Sequence, residues 1–349
     1  MRDVVSVTFY LGMNIERNQE YHTIDIHQQS YIWTILAKFR MDDFRAVATP
    51  MAMKLHKRKP DDDACYPTVY QSMIGSLMYT MTATRPNTAY AIGVLSQYNH
   101  DPSNKHMIAL KHVLWFLNST KDWRLCFRDE EKGALRYYVD SDYGGCRDDY
   151  TSMRGLVIRF GGAVNSQWRK QKSTAQSKTN AEYYALEVGC MRLTQISHLL
   201  NELGIPTIRH VFSNSQSLIA SIKNRIYHGT AVAHIATKYC LTADMARDGE
   251  IDLRYVPTAE MLAYSFTKPL PKYSFLKQCA AIPMTGIGLG NSLGTIGNGL
   301  GNGHGNGIGI RNGEVVRDSV GKQIAWARLI CGDHRCLIGS PSLLFTVFC

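Results

Sequence analysis

The stretch Tyr137–Gly145, "YYVDSDYGG", decides how the chain is read. Its aromatic and β-branched residues favour a strand, yet two aspartates sit where strands usually carry apolar side chains. Alternate residues of a strand share a face, so Asp140 and Asp142 point one way and Val139 the other. An ionised carboxylate on an interior strand is costly unless it is paired or holds a metal, which argues for chemistry. The plain alternative is a strand end at which both aspartates meet solvent beside "GGCRDD".

Working outward, "ALRYYVDSDY", "RGLVIRFGG" and "AVNSQW" read as three consecutive strands with Gly-rich turns, an antiparallel meander. A helical pattern runs from about Thr179 to Leu203, with Ala181, Ala185, Ile196 and Leu200 near one face, and Gly204 supplies its stop. "IRHVFSN" reads as a strand, "SQSLIASIKN" as a short helix and "GTAVAHIATKYCLTADMARDG" as a longer one. "EIDLRYV" alternates as a strand, and "AEMLAYSFTK" reads as a closing short helix. The order βββαβααβα predicts an α/β sandwich with a mixed sheet. Glu182, in the first turn of the long helix, has two open readings. It closes a capping box with Thr179, or it delivers a second carboxylate to Asp140 from the helix packed on that strand.

Before the meander, "VVSVTFYLGMNIE" and "YHTIDIHQ" read as strands. "SYIWTILAKFRM" has helical spacing, with Ile32, Ile35, Leu36 and Phe39 on one face and Ser30 as N-cap. "ATPMAMKLHKRKPDDDACYP" is a linker, and "YQSMIGSLMYTMTA" and "NKHMIALKHVLWFLNST" read as helices. Beyond Met284 the composition changes. Twelve of the 28 glycines fall between Gly286 and Gly313. Such a stretch loses too much backbone entropy on ordering and buries too little, so disorder is expected. The last residues, from "EVVRDSVGK" onward, match nothing before them and read as appended sequence.

The formal net charge of +10 favours a polyanionic partner. In "WRKQKS", Trp168 stands beside Arg169, Lys170 and Lys172, a set suited to a phosphate backbone with stacking support. A solvated charged face is the plain alternative. The 9 cysteines form no C-x-x-C pair and are odd in number, which indicates neither a disulfide framework nor a zinc ribbon. No segment offers the roughly 18 consecutive apolar residues of a membrane helix, and the start lacks the layout of a signal peptide. An intracellular setting, cytoplasm or nucleus, is expected.

From about Phe9 to Phe275 the chain resembles the C-terminal part of the Pol polyprotein of copia-type long-terminal-repeat retrotransposons, the fungal members in particular. The resemblance rests on "FYLGMNIE", "ATPM", "YQSMIGSLMY", "TRPNTAYAIGVLSQ", "VDSDYGGCRDDYTS", "STAQSKTNAEYYAL", "SQSLI" and "YVPTAEMLAYSFTKPL". It implies a reverse transcriptase followed by a ribonuclease H domain. Residues 1–128 would be the C-terminal portion of the first, its primer grip, thumb and connection. Residues 129–278 would be a ribonuclease H-like domain with a mixed five-stranded sheet flanked by helices, and 279–349 a Gly-rich tail with an unrelated extension. No Tyr-x-Asp-Asp strand precedes Phe9. The polymerase aspartates are therefore expected to be missing, with the absent polymerase half as a candidate partner.

The ribonuclease H resemblance also implies four acids holding two Mg²⁺ ions against the scissile phosphate. The first acid falls on Asp140 and the second on Glu182. The third position holds Asn214, in "VFSNSQSLI", and the fourth Tyr264, in "EMLAYSFTKPL". Mg²⁺ is a hard cation that wants carboxylate oxygens. Asn214 brings an amide oxygen without charge, and a phenol with a reference pKa of about 10 keeps its proton. Each missing charge is worth on the order of 4 kcal/mol at an effective dielectric of 20. The expected function is a fragment that binds RNA/DNA hybrid through a pseudoenzyme domain with a defective metal site. Asp142, Asp148 or Asp149 are candidates for partial rescue, though no spacing places them at the vacant positions. The alternatives are a working Mg²⁺-dependent hybrid ribonuclease, with Asn214 and Asp142 making do, and a non-functional or interaction-only remnant.

Overall fold

Alternation along Ala134–Asp142 sends Leu135, Tyr137 and Val139 to one side and Tyr138 to the other, and each side is covered by a separate apolar layer. The computed structural model describes residues 7–286, apart from 42, 44, 52–54, 129–132, 147, 173 and 225–240. The Gly-rich stretch from residue 287 onward lies outside the described residues. So does most of the helix expected in "GTAVAHIATKYCLTADMARDG", of which residues 241–247 are helical.

The first region contributes β1 (Phe9–Tyr10), β2 (Met13–Asn18) and β3 (Thr23–His27), followed by α1 (Gln29–Lys38), α2 (Pro67–Ala83), α3 (Ala89–Ser96) and α4 (Asn104–Ser119). Helix α1 begins earlier than its sequence suggests. Gln28, not Ser30, occupies the N-cap without a side-chain cap, because its amide oxygen accepts from Thr84 Oγ1 at 2.9 Å. Pro67 opens α2, where its missing N–H costs nothing. Ser103 caps α4 reciprocally with His106. These helices bury Ile32, Leu36, Tyr70, Leu77, Ile92 and Leu110 against one another.

Strand β4 (Arg124–Arg128) lies in "KDWRLCFR", where Lys121, Arg124 and Arg128 surround a short apolar run, and Leu125, Cys126 and Phe127 are buried within it. It pairs with β3 on one side and with β10 (Met284–Thr285) on the other, closing an antiparallel sheet of order β1-β2-β3-β4-β10.

The second sheet has the order β7-β6-β5-β8-β9, the mixed five-stranded arrangement expected. Its members are β5 (Ala134–Asp142), β6 (Met153–Phe160), β7 (Gly162–Lys170), β8 (Ile208–Ser213) and β9 (Asp252–Tyr255). The first three form the antiparallel meander; β8 runs parallel to β5, and β9 parallel to β8. Helix α5 (Lys178–Glu202) covers one face, where Tyr183, Leu186 and Leu193 meet Tyr137, Val139, Leu156 and Ile158, while α6 (Gln216–Asn224) adds Leu218 and Ile222. On the opposite face Tyr138 and Val157 share a layer with Phe116 and Trp123 of the first region and with Phe275 of α7 (Lys272–Ala281).

The closing helix expected in "AEMLAYSFTK" resolves instead into two 3₁₀ turns, Thr258–Glu260 and Leu262–Phe266. Extended backbone at Met261 separates them, and Pro269 disfavours helix at Lys268. The second turn lies hard against β6 at Gly155, where an added Cβ would stand 2.8 Å from the Ala263 carbonyl oxygen.

Packing between α5 and β5 is tightest at Gly189. A Cβ there would fall 1.8 Å from Tyr137 Cζ, and the Tyr137 hydroxyl donates to the Ala185 carbonyl at 2.8 Å. Gly189→Ala is therefore expected to lower the urea unfolding free energy by about 1–3 kcal/mol, the usual cost of overpacking. An unchanged midpoint would show that the helix can lift off the sheet freely.

Candidate functional site

Parallel strands β5 and β8 pair up to Val139 and Ser213, so Asp140 and Asn214 emerge side by side at the next position. Asp140 is 2 % exposed. Asn214 Nδ2 donates to Asp140 Oδ1 at 3.3 Å and to Thr258 Oγ1 at 3.3 Å. A carboxylate only accepts hydrogen bonds, so the amide turns its NH₂ toward it and its oxygen away. Thr267 Oγ1 donates to the second oxygen, Oδ2. Burial pushes the Asp140 pKa up. Thr267, Lys268 and Asn214 ease that shift, and the charge of Asp142 adds to it.

Glu182 does not cap its helix. Ser177 does so, accepting the Asn180 N–H at 3.2 Å, while Thr179 Oγ1 shares a hydrogen bond with Ser217 Oγ. The capping reading is thus overturned by a cap that lies just ahead of Thr179. Glu182 is 0 % exposed, and its carboxyl is left with at most a weak contact from the Ser141 hydroxyl. Burial and then the charge of Asp140 push its pKa up to about 8, eased by Ser141, Lys178 and Lys268. Glu182 therefore carries its proton through most of the neutral range. The structure brings Asp140 and Glu182 within electrostatic reach of each other, the second from the helix and the first from the strand.

The remaining positions supply no carboxylate. Tyr264 sits in the second 3₁₀ turn with its ring packed against the apolar layer, and Lys268 Nζ stands 5.0 Å from that ring's centre. The same ammonium lies 3.3 Å from Asp142 Oδ1. Asp149 pairs with Lys170, and Asp148 accepts the Lys57 N–H at 3.0 Å. All three aspartates that could rescue a metal site are engaged elsewhere. Among the described residues no group of three or more His, Cys, Asp or Glu side chains could hold a metal ion. The weakly bonded Glu182 carboxyl could accept a cation. The amide donor on Asp140, the phenol at Tyr264 and the Lys268 ammonium do not fit a pair of Mg²⁺ ions.

The four basic-stretch residues do not share one surface. Trp168 turns inward, so that a Cβ on Gly93 of α3 would fall 2.2 Å from its ring, and its indole Nε1 is buried without a partner. Lys170 points to the same side and is held by Asp149. Arg169 is exposed on the α5 side, across from Arg154, and Lys172 is exposed beyond the strand. The sequence reading assigned nothing to Thr267 and Lys268. Their signal was present in "FTKPL", directly after Tyr264.

No protein-family model matches the chain. It is 33% identical over 289 residues to the retrovirus-related Pol polyprotein from transposon TNT 1-94 of Nicotiana tabacum, covering 79% of this chain and 21% of that protein. It is 32% identical over 277 residues to the retrovirus-related Pol polyprotein from transposon RE2 of Arabidopsis thaliana, covering 76% of this chain and 18% of that protein. The chain thus spans about a fifth of the length of these curated relatives. Among solved structures, LC11-RNase H1 isolated from compost aligns with 38% of this chain and 92% of its own, at 15% identity and a TM-score of 0.31.

Proposed function

The chain belongs to the Pol polyproteins of copia-type long-terminal-repeat retrotransposons, and we propose that it holds RNA/DNA hybrid without cutting it at a useful rate. The observation that carries this reading is the acidic corner. Two buried carboxylates stand there with an amide donor, a threonine hydroxyl, a phenol and an ammonium where a hydrolase of this kind would need two further acids. A divalent ion is the cofactor such a site would use; the donor set here supports at most one weakly held ion, through Glu182. A polymerase-bearing segment is a further partner under this reading.

Binding rests on charge. The net charge of +10 and the exposed Arg169, Lys172 and Lys178 suit a phosphate backbone. An A-form hybrid would be held through phosphates and 2′-hydroxyls with little base preference. Filter retention of a hybrid is expected to fall about a hundredfold between 50 and 200 mM salt, the response of about four phosphate contacts. A flat salt response would count against binding through these charges. In the same samples Mg²⁺ should leave the hybrid intact.

A second reading, a working Mg²⁺-dependent hybrid ribonuclease, is favoured by one observation: the Glu182 carboxyl is buried beside Asp140 with little hydrogen bonding of its own, so its oxygens are available to a cation. Robust cleavage by the unaltered chain, abolished by chelation, would establish it.

A further inference from the structure

Between the helices of the first region and the second sheet lies an open cleft of about 460 Å³. Its walls come from both regions: Tyr90, Val94 and Tyr98 on one side, Tyr143, Trp168 and Tyr264 on the other. Tyr98 is committed to the fold, stacked on His106 at 4.0 Å. Tyr143, by contrast, is 49% exposed in the turn after β5 and turns part of its ring to the cleft. Gln97, Asp142 and Lys268 add polar groups to the same lining. Gly145 keeps the carboxylate at the edge of the cleft, since a Cβ there would stand 2.4 Å from Asp142 Oδ2.

We propose that this cleft takes one unpaired nucleobase, from a strand end or overhang of the nucleic acid that the second sheet holds. The chemistry selects the ligand. Partly exposed aromatic faces favour a flat ring, because base–aromatic stacking tolerates any base. The ring must also carry a hydrogen-bonding edge: Asp142 accepts from amino and ring N–H groups, and the Gln97 amide both donates and accepts. A purely apolar ligand would leave the remaining donor and acceptor capacity of these groups unused. A bare phosphate would meet a single ammonium, Lys268, already paired with Asp142 at 3.3 Å, and would leave the aromatic walls unused. The cleft adjoins the acidic corner through Tyr264, Thr267 and Lys268, so the base would be the one next to the strand engaged there. The inference rests on the hybrid-binding reading for its source of bases, and the test separates the two.

The full chain is titrated with four probes: a blunt RNA/DNA hybrid, the same hybrid with a one-nucleotide 2-aminopurine overhang, the same hybrid with an abasic overhang, and 2-aminopurine riboside alone. The base-bearing overhang is expected to bind about tenfold more tightly than the abasic one, with its fluorescence quenched. Tyr143→Ala should erase that difference and Tyr143→Phe should retain it. Quenching of the riboside alone also supports the slot, and shows that it accepts a free base. Equal affinity for the base-bearing and abasic overhangs, without quenching, overturns the inference while leaving hybrid binding intact. A quenched overhang on a chain that ignores the blunt hybrid does the reverse.

Discussion

Replacing Asn214 and Tyr264 together by aspartate is expected to raise Mg²⁺-dependent cleavage of an RNA/DNA hybrid at least about a hundredfold over the unaltered chain. The ground is the charge count at the corner. Two ions about 4 Å apart need compensating negative charge, and each added carboxylate at such range contributes on the order of 4 kcal/mol at an effective dielectric of 20. Part of this is offset by the cost of burying the new charges and by the loss of Tyr264 packing, so the hundredfold is a floor. Asn214→Asp also replaces a donor on Asp140 with a second acceptor. Without metal the double variant should therefore melt below the unaltered chain, and Mg²⁺ should restore it, while the unaltered chain should hardly respond. Thermal melts with Mg²⁺ or chelator and single-turnover cleavage read the two effects separately. A double variant that neither cleaves nor responds to Mg²⁺ would refute the idea that missing charge is what disarms this corner.

The other large effect is expected at Glu182. Its carboxyl moves from a reference value of 4.5 to about 8 in the folded chain. Below about pH 4.5 both folded and unfolded chains carry the proton, and folding is unaffected. Between there and about pH 8 the unfolded chain releases its proton while the folded chain keeps it, so stability falls as pH rises. The loss is complete above pH 8 and amounts to on the order of 3–5 kcal/mol, shared with the Asp140 charge that helps cause it. Glu182→Gln removes the ionisation. It is expected to flatten the fall in urea stability between pH 5 and pH 9 and to stabilise the chain by about 3 kcal/mol at the alkaline end. A pH slope that survives the substitution would assign it to another group.

How much of this was legible beforehand differs from element to element. The meander, α5 and the two parallel strands were readable because alternation and helical spacing are local patterns, carried by runs such as "RYYVDSD" and "EIDLRYV". The side chains at the four corner positions were readable too, since they are identities at positions of a motif. Strand β4 was not: its arginines flank "LCF" and read as charge, and only pairing with β3 and β10 buries its centre. The second 3₁₀ turn, Leu262–Phe266, was not readable either: its fit depends on close approach of Ala263 and Phe266 to Gly155 of β6.

The sequence by itself therefore determined the class of fold, the succession of strands and helices in the second region, and the absence of acids at positions 214 and 264. Only the tertiary structure decided what each corner residue touches. It turned the Asn214 amide into a donor, freed Glu182 from capping, tied Thr267 to an aspartate 127 residues away and set Trp168 against Gly93. The division has a physical origin. Backbone preference and burial pattern act over a few neighbouring residues, whereas hydrogen bonds, ion pairs and close contacts form between groups that only the finished packing brings together.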